Sequence, residues 1–228
     1  MSRPAAPRLA ATIPAYQAAP WVGEVVRATL AQIPELLVID DGSTDDTAAV
    51  ARAAGAPVLV LEKNCGKGFA LRRAFGELFG RGVDAVVTLD ADGQHVAEEI
   101  PRLLATWQET GADLVLGTRD HLFAEMSPLR RFSNTLSSRL ISAVAGKMMS
   151  DIQTGFRLYT RQLFEQVGFP ESRFEAESAV VVRCLRRGLN IATVPVELHR
   201  VDGRSTSHYR PLVDSLRIFR AVAAARFE

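Results

Sequence analysis

The feature that most restricts the fold is a repeated one: an apolar run of strand length that ends in aspartate. Residues 35–40 read Glu-Leu-Leu-Val-Ile-Asp, and residues 85–90 read Ala-Val-Val-Thr-Leu-Asp. Runs apolar on both faces belong to strands covered on both sides, as in parallel sheets flanked by helices. Residues 9–13, 35–40, 58–61, 85–89 and 114–117 read as strands, and segments near 21–32, 45–54, 67–80 and 96–110 carry helical periodicity. That alternation predicts an α/β fold with right-handed crossovers and a mainly parallel, doubly wound sheet. In such sheets ligands bind beyond the carboxyl ends of the strands, which is where the aspartates stand.

After Arg119 the texture changes. Residues 128–149 read as a helix, 151–157 lead into another short helix, and 174–187 are helical with Gly188 placed to stop them. Residues 190–198 read as a strand whose Pro195 suits a sheet edge. A polar loop, 199–211, precedes a last helix near 212–226. No repeat or Pro/Ser-rich linker interrupts the 228 residues, so one continuous domain over 1–228 is expected.

Composition removes several classes of function. A chain with 23% charged and 47% hydrophobic residues is not disordered. A net charge of +1 creates no global field for nucleic acid, so no nucleic-acid partner is expected. Two cysteines, Cys65 and Cys184, cannot form a disulfide framework and read as free thiols in a reducing cytosol. No apolar run reaches the 18 residues of a spanning helix, and residues 1–11 lack the apolar core of a signal peptide. Of the 27 basic residues three are lysine (Lys63, Lys67, Lys147), leaving 24 arginines. Genome composition explains most of that bias, and the bidentate fit of guanidinium to phosphate gives a few arginines a second reason.

Three segments carry chemistry. The strongest is Thr88-Leu89-Asp90-Ala91-Asp92-Gly93-Gln94-His95. Carboxylates at i and i+2, leaving a buried strand, can face one point above the sheet edge, and hard oxygen ligands suit Mg²⁺ or Mn²⁺ completed by substrate phosphates. An Asp-rich turn that only ends a strand has the same appearance. His95 reads as a further ligand or, more simply, as a solvated residue at a helix start. The second segment is Asp40-Asp41-Gly42-Ser43-Thr44-Asp45-Asp46-Thr47. Ser43 or Thr44 suits a helix cap, which leaves Asp40 and Asp41 for a nucleobase or ribose hydroxyl. The third, Asn64-Cys65-Gly66-Lys67-Gly68, offers glycines and a cation ahead of a helix, without P-loop spacing. No early G-x-G-x-x-G is present, which argues against NAD.

The order of these pieces resembles the GT-A glycosyltransferases of the large second family, over roughly residues 8–210. Ile13-Pro14-Ala15-Tyr16 is followed by the three segments above and by Gly117-x-Arg119. Asp151-x-Gln153-Thr154-Gly155-Phe156-Arg157, Phe174-Glu175-x-Glu177 and Val194-Pro195-Val196 are similar to the branch of dolichyl- and polyprenyl-phosphate mannosyl- and glucosyltransferases. The resemblance implies a nucleotide-sugar part over 8–120 and an acceptor-side part over 121–228. It implies that Pro14, Tyr16, Asp40, Asp41, Lys67, Asp90 and Ala91 bind nucleotide, and that Asp90, Asp92 and Gln94 hold Mg²⁺ or Mn²⁺. Gln17 stands where many relatives carry Asn. Arg119, Arg131, Arg200, Arg204 and His208 would meet the acceptor phosphate, with His208 beside Ser207 where relatives often carry Ser-Lys. Asp92, Asp151 and Arg119 are the expected catalytic residues, with Asp151 as base or orienter and Glu175 or Glu177 as alternatives.

The activity so implied is inverting transfer of a hexose from UDP-glucose or GDP-mannose to polyprenyl phosphate at the cytosolic membrane face. The attacking phosphate is already ionised, so it needs clustered cations more than a base. Residues 129–149 place Leu129, Phe132, Leu136, Leu140, Val144 and Met148 at spacings of three or four, an amphipathic stripe suited to a membrane surface or to the core. With no spanning helix, the enzyme would be peripheral or held by a membrane-anchoring partner. Two rivals stand beside this reading: transfer to a soluble or other lipid acceptor, and a catalytically silent nucleotide-sugar-binding subunit.

Overall fold

A computed structural model describes residues 6–119, 151–152, 154–199 and 211–227. The elements run β1 (Leu9–Ala15), α1 (Val22–Gln32), β2 (Leu36–Asp40), α2 (Thr47–Ala53), β3 (Val58–Val60), α3 (Lys67–Gly80), β4 (Ala85–Thr88), α4 (Ile100–Thr110) and β5 (Leu114–Thr118). They continue with β6 (Arg157–Thr160), α5 (Arg161–Val167), α6 (Glu175–Arg186), β7 (Ile191–Pro195) and α7 (Pro211–Phe227). The expected helix over 128–149 and most of the loop over 199–211 lie outside the described residues.

The seven strands form one sheet in the order β3-β2-β1-β4-β6-β5-β7. All pairings are parallel except those of β6, which runs antiparallel to both β4 and β5. The sheet is therefore mainly parallel, as expected, but it contains an internal antiparallel strand, β6, that no apolar run marks in the sequence. The run Arg157-Leu158-Tyr159-Thr160 is short and opens on a charge, yet Arg157, Leu158 and Tyr159 are each fully buried. β7 and its Pro195 occupy the sheet edge, where a missing N–H is tolerated.

Successive side chains of a strand point to opposite faces, and here they feed two cores. Ala10, Leu37, Ile39, Val86, Leu114 and Tyr159 pack with Phe75, Leu78, Val180 and Ile218 from α3, α6 and α7. Ala11, Ile13, Val38, Val87, Val115 and Leu158 pack with Val22, Val26, Ile100 and Leu103 from α1 and α4. Both faces are covered, which explains why β2 and β4 read as apolar throughout. Phe75 anchors the first core, with its ring centroid 4.9 Å from Tyr159 and 5.4 Å from Phe169. Trp107 packs partly buried against the second core, and Cys65 and Cys184 are both free.

Candidate active site

The chain runs from β1 outward to β3 and then returns to place β4 on the other side of β1. That reversal is a topological switch point, and such points open a crevice at the carboxyl ends of the strands. A cavity of about 750 Å³ lies there. Pro14, Ala15 and Tyr16 from the end of β1, Asp41 after β2, and Asp90, Ala91 and Asp92 after β4 line it. Asn64, Gly66 and Lys67 at the start of α3 form another wall, and Arg173, Phe174, Asp214 and Arg217 close the side toward α6 and α7. Of the expected nucleotide residues, Pro14, Tyr16, Asp41, Lys67, Asp90 and Ala91 share this space. Asp40 and Gln94 are not among the residues lining it, nor are Arg119 and Asp151.

Asp40 and Asp41 have different duties. Asp40 Oδ1 accepts the Ser43 N–H at 2.9 Å and closes the turn after β2. Asp41 accepts the N–H groups of Cys65 and Gly66, each at 2.7 Å, through separate oxygens. Burial raises its pKa above the ordinary carboxylate value, and those two N–H groups offset only part of the effect. Asp41 thereby pins the loop that leads into α3. Gly66 is needed in that loop: it has φ +99°, and a Cβ there would lie 2.5 Å from the Ser172 carbonyl oxygen.

Gln17, in the left-handed region at φ 52°, is a bracket. Its Oε1 accepts from the N–H groups of Thr44 and Asp45 and its Nε2 donates to Thr44 Oγ1, while its own N–H donates to Ser43 Oγ. Ser43 and Thr44 are therefore joined to the β1 loop and do not cap the next helix, which starts at Thr47 with no side-chain cap.

The turn after β4 is built around Asp90. Its Oδ1 is 2.6 Å from Lys67 Nζ, whose other partner is Glu177 Oε2 at 3.0 Å. Burial by itself would raise the Asp90 pKa, but the adjacent Lys67 ammonium, together with His95 and Arg119, outweighs it and holds the carboxyl down at about 2. Burial would likewise lower Lys67, yet the Asp90 and Glu177 carboxylates outweigh it and raise its pKa. Behind Asp90 stands Gly155, where a Cβ would meet Oδ2 at 2.5 Å and Oδ1 at 2.8 Å. Asp92 Oδ1 accepts the Gln94 N–H at 3.0 Å. Asp90 and Asp92 thus bring two hard carboxylates to one cavity. Among the described residues no three His, Cys, Asp or Glu side chains gather into a metal-binding group. That donor set fits a cation whose remaining positions are filled by phosphates of a bound nucleotide.

His95 departs from expectation. It is 6% exposed and stacks on Phe156 with ring centroids 5.4 Å apart, and its Nδ1 accepts the Asp90 N–H at 3.0 Å. It is neither solvated nor free at that nitrogen to bind metal. Burial lowers its pKa despite the opposing charges of Asp90 and Asp92. The same turn is tied to the segment after β7, because His199 N–H donates to the Gln94 carbonyl at 2.9 Å and His95 bridges Leu198.

Arg119 and Asp151 pair with each other. Arg119 Nε and Nη2 reach Asp151 Oδ2 and Oδ1 at 2.7 and 2.8 Å, and the Arg119 N–H adds a third bond at 2.9 Å. Arg131, Arg200, Arg204 and His208, the other expected acceptor residues, lie outside the described residues.

Arg173, Asp214 and Arg217 of the cavity wall carry no motif in the sequence, and no sequence feature gives a role to the residue that braces the site from behind. Arg157, fully buried, donates to the carbonyl oxygens of Thr154, Glu177 and Ile152 at 2.7, 2.6 and 2.6 Å. It locks the Asp151–Gly155 loop to the first turn of α6, and so fixes Gly155 behind Asp90 and Glu177 beside Lys67. Its position in the Gly155-Phe156-Arg157 run is visible in the sequence; its three acceptors, spread from Ile152 to Glu177, are not.

A mainly parallel sheet with an internal antiparallel strand and a carboxylate-lined cavity at the switch point defines a GT-A type fold. The model of glycosyl transferase family 2 matches residues 11–168, and the chain belongs to that family. Glycosyltransferase AglJ of Haloferax volcanii is 33% identical over 201 residues, covering 85% of this chain and 64% of AglJ. An undecaprenyl-phosphate 4-deoxy-4-formamido-L-arabinose transferase of Klebsiella pneumoniae is 34% identical over 177 residues, covering 72% of this chain and 52% of the enzyme. The chain thus spans about half to two thirds of the length of these relatives. Glucosyl-3-phosphoglycerate synthase of Mycobacterium tuberculosis, solved with Mn²⁺, UDP-glucose and phosphoglyceric acid, superposes with a TM-score of 0.77 at 22% identity, covering 98% of this chain and 81% of that one.

Proposed function

We propose that the chain transfers a hexose from a nucleotide-sugar, UDP-glucose or GDP-mannose, to polyprenyl phosphate, with inversion at the sugar and with Mg²⁺ or Mn²⁺. The observation that carries the reading is the cavity of about 750 Å³ whose lining Asp90 and Asp92 share with Tyr16 and Asp41. Its size suits a nucleotide-sugar, and its two carboxylates suit a cation that bridges to a diphosphate. Such a cation would neutralise the charge that develops on the departing diphosphate. Residues 8–120 would hold most of the donor, with Arg173, Phe174, Asp214 and Arg217 closing one side of its cavity, and residues 121–228 would otherwise serve the acceptor, within one domain.

The roles of the chain's own groups follow from their positions. Pro14, Tyr16 and Asp41 bound the space for base and ribose, with the turn closed by Asp40 supporting it. Lys67 lies beside Asp90, where a diphosphate would arrive. Asp92, with Gln94 fixing its turn, completes the carboxylate pair. Arg119 has its fork committed to Asp151, so Asp151 serves as orienter of Arg119 before any role as base. The acceptor phosphate would be met by Arg119 together with Arg131, Arg200, Arg204 and His208. The polyprenyl acceptor is supported by the likeness to the Klebsiella undecaprenyl-phosphate transferase and by the bond that joins the carboxylate turn to the start of the 199–211 loop.

Among the described residues no helix is long and apolar enough to cross a membrane. We place the protein at the cytosolic membrane face, peripherally or through an anchoring partner. Flotation with anionic liposomes, followed by transfer assays on polyprenyl phosphate and on soluble alcohols, tests the acceptor. Binding with transfer to the lipid supports the proposal. Transfer only to a soluble alcohol, with no flotation, would replace the acceptor; nucleotide-sugar binding without turnover would make the chain a silent subunit.

A further inference from the structure

Lys67 opens α3, and its ammonium stands between carboxylates from two distant parts of the chain. Nζ is 2.6 Å from Asp90 Oδ1 on the cavity wall and 3.0 Å from Glu177 Oε2 in the first turn of α6. The two seats differ. The Asp90 side chain is 32% exposed toward the cavity, whereas that of Glu177 is 6% exposed. Glu177 has a second oxygen, Oε1, that is buried without a hydrogen-bond partner. A buried carboxylate oxygen with no donor is costly. Its sister oxygen Oε2 already meets the ammonium, and a shift of Lys67 toward Glu177 would bring a donor to Oε1. The seat is also fixed, because the Glu177 carbonyl is held by Arg157 Nη1 at 2.6 Å.

We propose that Lys67 is the resident counter-cation of Asp90, that a divalent cation must displace it to reach Oδ1, and that Glu177 is the positioning residue that receives the displaced ammonium. The proposal rests on the reading of Asp90 and Asp92 as cation ligands. A cation and an ammonium at the same carboxylate oxygen repel strongly in a partly buried site. Lys67 has somewhere to go only because Glu177 lies beside it. Without nucleotide the cation pays for that displacement; a bound diphosphate adds negative charge that favours both cations.

The test is a Mn²⁺ titration of the full chain followed by electron paramagnetic resonance, without nucleotide and with UDP or GDP. Lys67→Met should tighten nucleotide-free Mn²⁺ binding about tenfold, the size expected for removing one adjacent like charge. The Lys67→Met/Glu177→Gln double variant, which removes both members of the buried pair and so leaves no orphaned charge, should keep the tightening. Glu177→Gln alone confines Lys67 to Asp90 and should weaken Mn²⁺ binding in the presence of UDP or GDP about tenfold. Unchanged nucleotide-free affinity in Lys67→Met and in the double variant, or tightening in Glu177→Gln, overturns the proposal. Failure of the unmodified chain to bind Mn²⁺ even with UDP or GDP overturns the cation reading beneath it.

Discussion

Arg119 and Asp151 grip each other through both carboxylate oxygens, with Nε to Oδ2 at 2.7 Å and Nη2 to Oδ1 at 2.8 Å. The carboxylate is 1% exposed and the guanidinium 15%. Asp151 also sits in the left-handed region at φ 44°, which Asp and Asn tolerate better than other side chains. Asp151→Asn therefore keeps the backbone and removes the charge. It should cost about 3 kcal/mol of stability, because one partner of a buried pair is lost and the other is left uncompensated. Denaturant unfolding measures this directly. A cost near zero would mean that the pair is not a strut.

Gly155 supplies the space that Asp90 occupies. In Gly155→Ala the new methyl would lie 2.5 Å from Asp90 Oδ2, so the carboxylate must move. The backbone tolerates alanine there, and the fold should persist by circular dichroism. Binding of the Mn²⁺ complex of UDP or GDP should weaken about tenfold or more, the usual scale when the support of a ligating carboxylate is disturbed. Wild-type affinity in this variant would separate Asp90 from the binding site.

Parts of this arrangement could be read in the chain and parts could not. The strands ending at Asp40 and near Asp90 were legible because burial on both faces leaves an unbroken apolar run. β6 was not, because its Arg157 reads as a surface charge; it is buried only because carbonyls of residues 152, 154 and 177 converge on it. The segment holding Asp90, Asp92 and His95 stood out, but the place of His95 depends on a backbone N–H and on Phe156, 61 residues away. The Lys67–Glu177 contact joins residues 110 positions apart, a distance over which periodicity carries no information.

Arg157 should not tolerate its nearest replacement. Lysine keeps the charge but cannot present a planar fork to three carbonyls. Arg157→Lys should destabilise the fold by about 3 kcal/mol, from buried acceptors left without donors. Chemical denaturation gives the number, and a loss below about 1 kcal/mol would contradict the bracing role assigned to it.

His95 gives the fold a pH dependence of known sign. Its folded pKa is depressed below 6.5 by burial, so the unfolded chain takes up a proton that the native state refuses. Its contribution to stability is fully present above pH 6.5 and is lost as pH falls from 6.5 through the depressed folded value. Thermal melts over that range should show a decline in Tm that His95→Gln, which keeps an acceptor and cannot titrate, flattens. Parallel declines in both proteins would assign the effect to other groups.

The central claim is that Asp90 and Asp92 serve a cation-assisted transfer from a nucleotide-sugar to a lipid phosphate. It is tested most directly by nucleoside diphosphate release from UDP-glucose and GDP-mannose, with a short polyprenyl phosphate and Mg²⁺ or Mn²⁺. The account predicts acceptor-dependent release from one of these donors, abolished by chelation and by Asp92→Ala in a folded protein. No release from either donor, or equal release by Asp92→Ala, would contradict it.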